Sequence, residues 1–199
     1  MMGKLLLFLI LIFSSTLLFA NNATNYAGNV VENTSTGTVA WSNPNLAAGP
    51  INATYAVSGN LDNTISRYLY ATNYGFNIPI NSTIDGVIVS VTRKVNNAGN
   101  LSRDNNLRLI TNGVINTTDR ATTTPYTVAD VTEAHGTSTD NWGVTLTPQI
   151  VNSARFGVAY SAYKISAGGP VNISVNAILI NIYYTEITGR RRVVSRFLE

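Results

Sequence analysis

Short alternations of apolar and polar residues run through most of the chain and predict β-strands. The clearest lies between Ile84 and Val95, where Val87, Val89 and Val91 fall on one face. Arg93 is in phase with these valines near the strand end, so we expect it to reach the rim of the domain or a partner. No capped stretch keeps a 3.6-residue period for more than a turn or two. The pattern therefore predicts an all-β protein.

Further strands are predicted along the rest of the chain. Phe156 to Ala162 alternates as a half-buried strand, and Trp142 to Leu146 forms a shorter one. Val171 to Tyr184 begins with apolar residues on one face and switches phase at Ile178, which requires either a β-bulge or burial of both faces. The remaining candidates are Tyr55 to Val57, Tyr68 to Tyr74 and Leu107 to Ile110, with a turn at Asn112-Gly113.

About eight to ten short strands with frequent turns predict an antiparallel two-sheet β-sandwich, jelly-roll-like in type. We place this domain at residues 39–188. Residues 21–38 are polar and rich in Asn, Thr and Gly, and predict a flexible or edge-pairing N-terminal segment. Residues 189–199 form a basic C-terminal tail.

The first twenty residues have the layout of a secretory signal peptide and predict a signal helix. Lys4 precedes the apolar run Leu5 to Phe13, and Ala20 ends the segment before polar Asn21. An uncleaved anchor is the alternative, since apolar character resumes at Leu17 after Ser14 to Thr16. The leader predicts a secreted protein that is extracellular or at the cell surface. It predicts contact with a membrane only if the leader is not cleaved.

Composition and charge narrow the class. Hydrophobic residues make up 45% of the chain and charged residues 12%, which excludes a disordered chain and a protein of long helices. The formal net charge of +3 comes from the tail, where Arg190, Arg191, Arg192 and Arg196 lie. The body is close to neutral with scattered basic residues, which disfavours nucleic acid as a partner. With no cysteine, thiolate metal sites, thiol catalysis and disulfides are excluded.

Candidate chemistry is densest around the single histidine. Asp130, Glu133, His135 and Asp140 are residue types that bind a divalent metal or position a general base, which would suit a hydrolase. Their spacing fits neither an EF-hand nor a zincin, and no serine lies in a Gly-X-Ser-X-Gly elbow. We therefore interpret the segment as a solvated loop between strands, and predict no catalytic residue, no metal site and no cofactor.

Carbohydrate is the other candidate ligand, because sugar rings stack on flat aromatic faces. Tyr68, Tyr70, Tyr74 and Tyr163 are the tyrosines expected near strand ends; the alternative for each is the edge of the core with a hydrated hydroxyl. Asn-X-Ser/Thr sequons also follow the leader and are candidate glycosylation sites, although a chain rich in Asn and Thr produces some by chance. They lie at Asn22, Asn33, Asn52, Asn81, Asn100, Asn116 and Asn172.

A series of sequence blocks extends from Trp41 to Thr185 in a defined order. The blocks are Trp41 to Pro44, Leu69 to Pro79, Ser82 to Arg93, Asn106 to Leu109, Thr139 to Gly143, Ile150 to Ala159 and Ile180 to Thr185. In these blocks the chain resembles a β-sandwich module that recurs in phage structural proteins and large bacterial surface proteins. The resemblance implies a jelly-roll-like domain displayed on virions or cell surfaces, without a defined reaction and without catalytic residues to transfer.

These observations together predict a secreted, non-enzymatic structural or surface protein that self-assembles. Its expected partners are other protein subunits, and the expected assembly is associated with a filament or a virion. The alternative is a carbohydrate-binding module that recognises a surface glycan.

Overall fold

The computed structural model describes residues 16–97, 102–165 and 168–189. These residues form eleven strands, a 3-10 turn at Pro44–Ala47 and one short helix, α1, at Pro148–Val151. The strands are β1 Thr16–Tyr26, β2 Asn29–Asn33, β3 Trp41–Ser42, β4 Ala56–Ser58, β5 Tyr68–Thr72, β6 Thr83–Val95, β7 Ser102–Thr111, β8 Val114–Ile115, β9 Val131–Thr137, β10 Gly157–Lys164 and β11 Ile173–Gly189. The prediction of an all-β, sandwich-like protein is confirmed.

The strands belong to two antiparallel sheets. The six-stranded sheet has the order β3-β4-β11-β6-β9, with β1 also paired to β11. The five-stranded sheet has the order β2-β5-β10-β7-β8. In each sheet the long central strands come from distant parts of the chain, so their pairing is non-local.

The core lies between the two sheets and is built from alternate residues of their central strands. Val87, Val89 and Val91 of β6 are fully buried, as the alternation predicts. Phe156 and Trp142 are also 0% exposed and supply the large volumes that were expected of them. Ile178, Ile180 and Ile182 of β11 pair with the β6 valines and extend the same wall of the core.

The phase switch in β11 is a β-bulge, one of the two explanations that the pattern left open. The register against β6 shifts between Val175 and Ala177, so Asn176 is the extra residue. Val175 and Ile178 therefore both face the core although three positions separate them. Asn176 is buried, and its side chain is hydrogen-bonded to the backbone of Asn52.

Two local predictions are wrong. Trp142 to Leu146 is not a strand, because Trp142 and Gly143 both have left-handed backbone angles, with φ of 59° and 66°, and turn the chain. The segment around His135 is not a solvated loop, because residues 131–137 form β9 and pair with β6 along Val87 to Arg93. β9 is an edge strand that places Glu133 and His135 on its inner face, where apolar residues would be expected, so its apolar content is too low to reveal it.

The Asn112-Gly113 turn is confirmed and joins β7 to β8. Both residues have positive φ, 54° and 83°, as a type I′ hairpin turn requires. A side chain at position 113 would lie 2.8 Å from the Arg155 guanidinium, so glycine also leaves room for that group.

Residues 16–33 supply an edge strand to each sheet. β1 lies along β11 in the six-stranded sheet, and β2 lies along β5 in the five-stranded sheet. Ala27, between them, is fully buried and donates from its backbone to Ile178. The expected signal helix falls mostly on residues 1–15, which lie outside the described residues, and Thr16 to Ala20 belong to β1. The tail from Arg190 onward also lies outside them.

Neither helix in the described part of the chain has the length and apolar character needed to cross a bilayer.

Candidate functional site

A cluster of charged and phenolic side chains lies between the two sheets at one end of the core. Arg93 comes from β6, Asp104 from β7, and Glu133 and His135 from β9. On β6, Arg93 is in phase with the buried valines. On β9, Glu133 and His135 pair with Val91 and Val89. All three side chains therefore face the core. We call this group, with Tyr126 and Tyr160, the inter-sheet cluster; its members are named at the contacts below.

A bulge aims Asp104 into the cluster. Along β7 and β10, Ser161 pairs with Asn106 but Ala162 pairs with Asp104, so Asn105 is the extra residue. In a regular ladder Asp104 would point to solvent, whereas here its side chain is 0% exposed. The alternation along β7 therefore could not place Asp104 beside Glu133 and His135.

Arg93 is the cation of the cluster. Its Nε lies 3.1 Å from Asp104 Oδ1, and its Nη2 binds Glu133 Oε2. Its guanidinium also lies over the Tyr126 ring, 4.3 Å from the centroid. Burial alone would lower the pKa of Arg93, but the neighbouring tyrosine hydroxyls and carboxylates outweigh it and raise the pKa, so the side chain remains a cation. The expectation that Arg93 reaches a rim or partner is wrong, because it is 3% exposed and paired inside the core.

Hydrogen bonds hold the two carboxylates. Asp104 Oδ1 accepts from the Tyr126 hydroxyl at 2.7 Å, and Tyr126 is hydrogen-bonded in turn to Tyr160. Burial raises the pKa of both tyrosines, so they remain protonated donors. For Glu133, burial alone would raise the pKa, but hydrogen bonds from Arg93 and Thr122 outweigh it and lower the pKa of the carboxyl.

His135 is the least satisfied member of the cluster. Its Nδ1 lies 2.9 Å from the carbonyl oxygen of Arg120, and its Nε2 lies 3.6 Å from Asp104 Oδ2. The imidazole is fully buried, and Nε2 has no hydrogen-bond partner among the described residues. One ligand atom each from Asp104, Glu133 and His135 lie within 4.8 Å of one another. These are residue types that hold metal ions.

The other two acids predicted with His135 lie elsewhere. Asp140 accepts two hydrogen bonds from Arg120, at 2.7 and 3.0 Å, which chiefly account for the lowered pKa of its carboxyl. Asp130 lies 3.8 Å from Lys94 Nζ and accepts from the Tyr55 hydroxyl. The structure thus keeps Glu133 and His135 together and replaces Asp130 and Asp140 with Asp104.

The four candidate tyrosines divide by exposure. Tyr68 and Tyr74 are both 4% exposed, and the Tyr74 ring stacks on Phe76 inside the core. Tyr70 is half-buried and donates to the carbonyl of Gly113. Tyr163 is half-buried, donates to Asn63, and has the Arg103 guanidinium over one ring face at 5.7 Å.

Tyr163 borders an open groove of about 590 Å³ on the outer side of the β7 bulge. Its lining is mainly polar and includes Arg103, Asn105, Asp119 and Thr122. Asp104 is also among the lining residues, although its side chain is 0% exposed and belongs to the inter-sheet cluster.

The sequons differ in whether a glycan has access to the side-chain nitrogen. Asn22, Asn52 and Asn81 are exposed, and Asn33 is half-buried. Asn116 and Asn172 are half-buried and donate from Nδ2 to backbone carbonyls, at 3.0 and 2.8 Å. Asn100 lies outside the described residues.

β1 presents an open sheet edge. Among the described strands β1 pairs only with β11, through eleven residue pairs from Thr16↔Gly189 to Tyr26↔Leu179. The pairing of β11 with β6 ends at Thr185, so β1 is the one described strand that pairs with Glu186 to Gly189. Leu17, Leu18, Phe19 and Ile187 in this end ribbon are 42%, 65%, 49% and 45% exposed.

No family model, curated protein or solved structure matches the chain.

Proposed function

We propose that this protein is a secreted, non-enzymatic structural subunit that assembles with other copies through the open edge of β1. The proposal includes a jelly-roll-like sandwich, a leader removed in the mature protein, and display on a cell surface, filament or virion, as the resemblance implies. The observation that carries it is the edge strand β1, whose residues Asn21 to Tyr26 remain after the leader is removed and pair only with β11 among the described strands. Open edges pair readily with strands of other chains through backbone hydrogen bonds.

The orientation of backbone groups along β1 identifies the residues that would bind a neighbour. Ala27 donates its backbone N–H to Ile178. In an antiparallel ladder, residues alternate between pointing both backbone groups at the partner strand and pointing both away. Counting back from Ala27, the groups of Asn22, Thr24 and Tyr26 point to the open side. These residues also place their side chains on the outer face of the sheet, where they do not disturb the core.

The end ribbon supports assembly through the edge that cleavage of the leader would uncover. Before cleavage, Leu18 and Ile187 are paired on one face of the ribbon, and Leu17 and Phe19 lie on the other face. Cleavage after Ala20 would remove Leu17, Leu18 and Phe19. It would also leave Thr185 to Gly189 of β11 without their partner strand, which creates a second open edge beside the first. Maturation by this route would therefore expose a pairing surface on each subunit.

A single substitution in β1 tests the proposal. Thr24→Pro removes one outward N–H while leaving the β1–β11 hydrogen bonds in place, because the Thr24 backbone points away from β11. Thr24→Val is the matched control, since it keeps the N–H and, like proline, removes the Asn22 sequon. Both variants and the native secreted protein are compared by negative-stain electron microscopy and by light scattering after size exclusion.

The expected result is assembly of the native protein and of Thr24→Val, with Thr24→Pro remaining monomeric. Equal assembly of Thr24→Pro rules out β1 as the interface. A native protein that stays monomeric up to its solubility limit rules out the assembly function itself.

A second function is favoured by one observation, the polar groove beside Tyr163. One ring face of Tyr163 is covered by Arg103, and the other can stack on a sugar while amide and carboxylate side chains accept its hydroxyl protons. We propose glycan binding in this groove as the alternative. A glycan array probed with the native protein, Tyr163→Ala and the control Tyr70→Ala tests it, and the expected signal is lost in Tyr163→Ala alone. No signal from the native protein eliminates this function.

A further inference from the structure

The protonation of His135 can be assigned from its neighbours. The Arg120 carbonyl oxygen accepts hydrogen bonds and cannot donate, so Nδ1 at 2.9 Å carries the proton and donates to it. In the neutral ring the lone pair is then at Nε2. This is the tautomer in which histidine binds metals, with its other nitrogen held by a backbone carbonyl.

The distance between Nε2 and the nearest carboxylate suits a metal ion better than a proton. Nε2 lies 3.6 Å from Asp104 Oδ2. A charge-assisted N–H···O bond would draw these atoms to about 2.7–2.9 Å. A zinc ion bonded to both atoms at about 2.0–2.2 Å would separate them by about 3.3–3.6 Å at near-tetrahedral angles.

Arg93 contacts one oxygen of each carboxylate and leaves the other available to bind a metal ion. It contacts Asp104 Oδ1 and Glu133 Oε2, the oxygens on its own side. The opposite oxygens, Asp104 Oδ2 and Glu133 Oε1, converge on the Thr122 hydroxyl at 3.2 and 2.8 Å. A hydroxyl has one proton and can donate to only one of them. The backbone N–H of Thr122 donates to Asp104 Oδ2 at 3.2 Å, so both oxygens have a donor, and His135 Nε2 is the acceptor of this group that lacks one among the described residues.

We propose that Asp104, Glu133 and His135 bind one divalent transition-metal ion, for which Zn²⁺ is the probe, with Arg93 orienting the two carboxylates from behind. An imidazole ligand favours such an ion over Mg²⁺ or Ca²⁺. The site departs from the expectation of no metal and is independent of the proposed assembly. Because Asp104 belongs to one sheet and Glu133 and His135 to the other, a bound ion would link the two sheets. Thr122, whose hydroxyl is hydrogen-bonded to Glu133 Oε1, also lines the open groove, so the site lies next to it.

The competing occupant is a proton on Nε2. With Asp104 and Glu133 ionised and Arg93 a cation, the four side chains sum to one negative charge while His135 is neutral. A proton brings the sum to zero, and a divalent ion brings it to one positive charge. Charge alone therefore favours the proton, whereas the 3.6 Å separation and the unpaired Nε2 favour the metal.

The test is zinc titration of the full chain, purified without a histidine tag and stripped with a chelator. Isothermal calorimetry and thermal unfolding are measured with ZnSO₄ in the presence of excess MgCl₂. Because His135 is the only histidine of the chain, His135→Gln removes the proposed nitrogen ligand without leaving another imidazole. Glu133→Gln is the second variant in case His135→Gln does not fold, and Asp130→Asn is the control for an acid outside the cluster.

The proposal predicts one equivalent of zinc per chain, a rise in Tm of several degrees, and zinc affinity at least tenfold weaker in Glu133→Gln and lost in His135→Gln. Asp130→Asn should bind like the native protein. The proposal is overturned by the absence of both heat and Tm shift at 100-fold excess zinc, by unchanged binding in His135→Gln and Glu133→Gln, or by nitrogen NMR that shows Nε2 protonated with zinc present.

Discussion

Removing the Arg93 cation tests how the two sheets are held together at this end of the core. Arg93→Met keeps an apolar stem but leaves the carboxylates of Asp104 and Glu133 without their counter-charge. The Arg93 and Asp104 side chains are 3% and 0% exposed, so water cannot replace the guanidinium at Asp104. Breaking a buried ion pair by removing one partner costs about 3–5 kcal/mol. The lost contact with the Tyr126 ring acts in the same direction.

We therefore expect Arg93→Met to lower the free energy of unfolding by about 3–5 kcal/mol, a large part of the 5–15 kcal/mol that is typical of a folded domain. The double variant Arg93→Met/Asp104→Asn should be less destabilised than the sum of its single variants, because the amide removes the uncompensated charge. The expected coupling is about 1–3 kcal/mol.

The assay is urea unfolding at pH 7 in the presence of a chelator, so that no bound ion contributes. Trp41 and Trp142 are 6% and 0% exposed, and their fluorescence reports loss of the core. A loss below about 1 kcal/mol in Arg93→Met, or strict additivity in the double variant, would refute the view of the cluster as a set of mutually dependent charges.

Three further predictions concern separate features. Tyr74→Phe should raise the free energy of unfolding by about 1 kcal/mol in urea, because the Tyr74 hydroxyl is buried without a partner among the described residues; a loss of stability contradicts this. Gly136→Ala should lower the free energy of unfolding by about 2–4 kcal/mol, since φ is +85° and the new Cβ would lie 2.4 Å from Val87 O. The control Gly75→Ala, with φ of +67° and open space around the new Cβ, should lose about 1 kcal/mol. Equal losses in the two variants would contradict a clash with Val87 O. The lowered pKa of Asp140 contributes stability at neutral pH that is lost as pH falls below about 4, so Asp140→Asn should lose less than about 1 kcal/mol at pH 7 and match the native protein near pH 2; a difference that is constant with pH contradicts the Arg120 pairing.

The sequence predicts the central strands and fails at the edges and the cluster, for physical reasons. β6, β10 and β11 are long and place their large apolar residues on the face toward the other sheet, so these residues recur with period two. Even the bulge at Asn176 was detectable, because it shifts that period by one residue. β9 has too few apolar residues for such a signal.

The cluster needed information that no local pattern contains. The inward position of Asp104 depends on the bulge at Asn105 in β7. Asn105 and its neighbour Asn106 are both polar. A phase shift among polar residues leaves no trace in the hydrophobic pattern. His135 and Glu133 were singled out by composition, but their partners came from other strands and could not be inferred from spacing along the chain.

The antiparallel pairing of β1 with β11 has a mechanical consequence. Thr16 lies opposite Gly189, so both described chain ends leave the sheet at the same point. A force that pulls these ends apart acts across the ladder and opens its hydrogen bonds one pair at a time, as a zipper opens, instead of loading all of them together. A force on a neighbouring strand that runs along the free side of β1 loads the bonds to that strand in parallel. A chain of subunits joined by this edge would therefore resist tension between subunits better than each subunit resists being peeled open by its own ends.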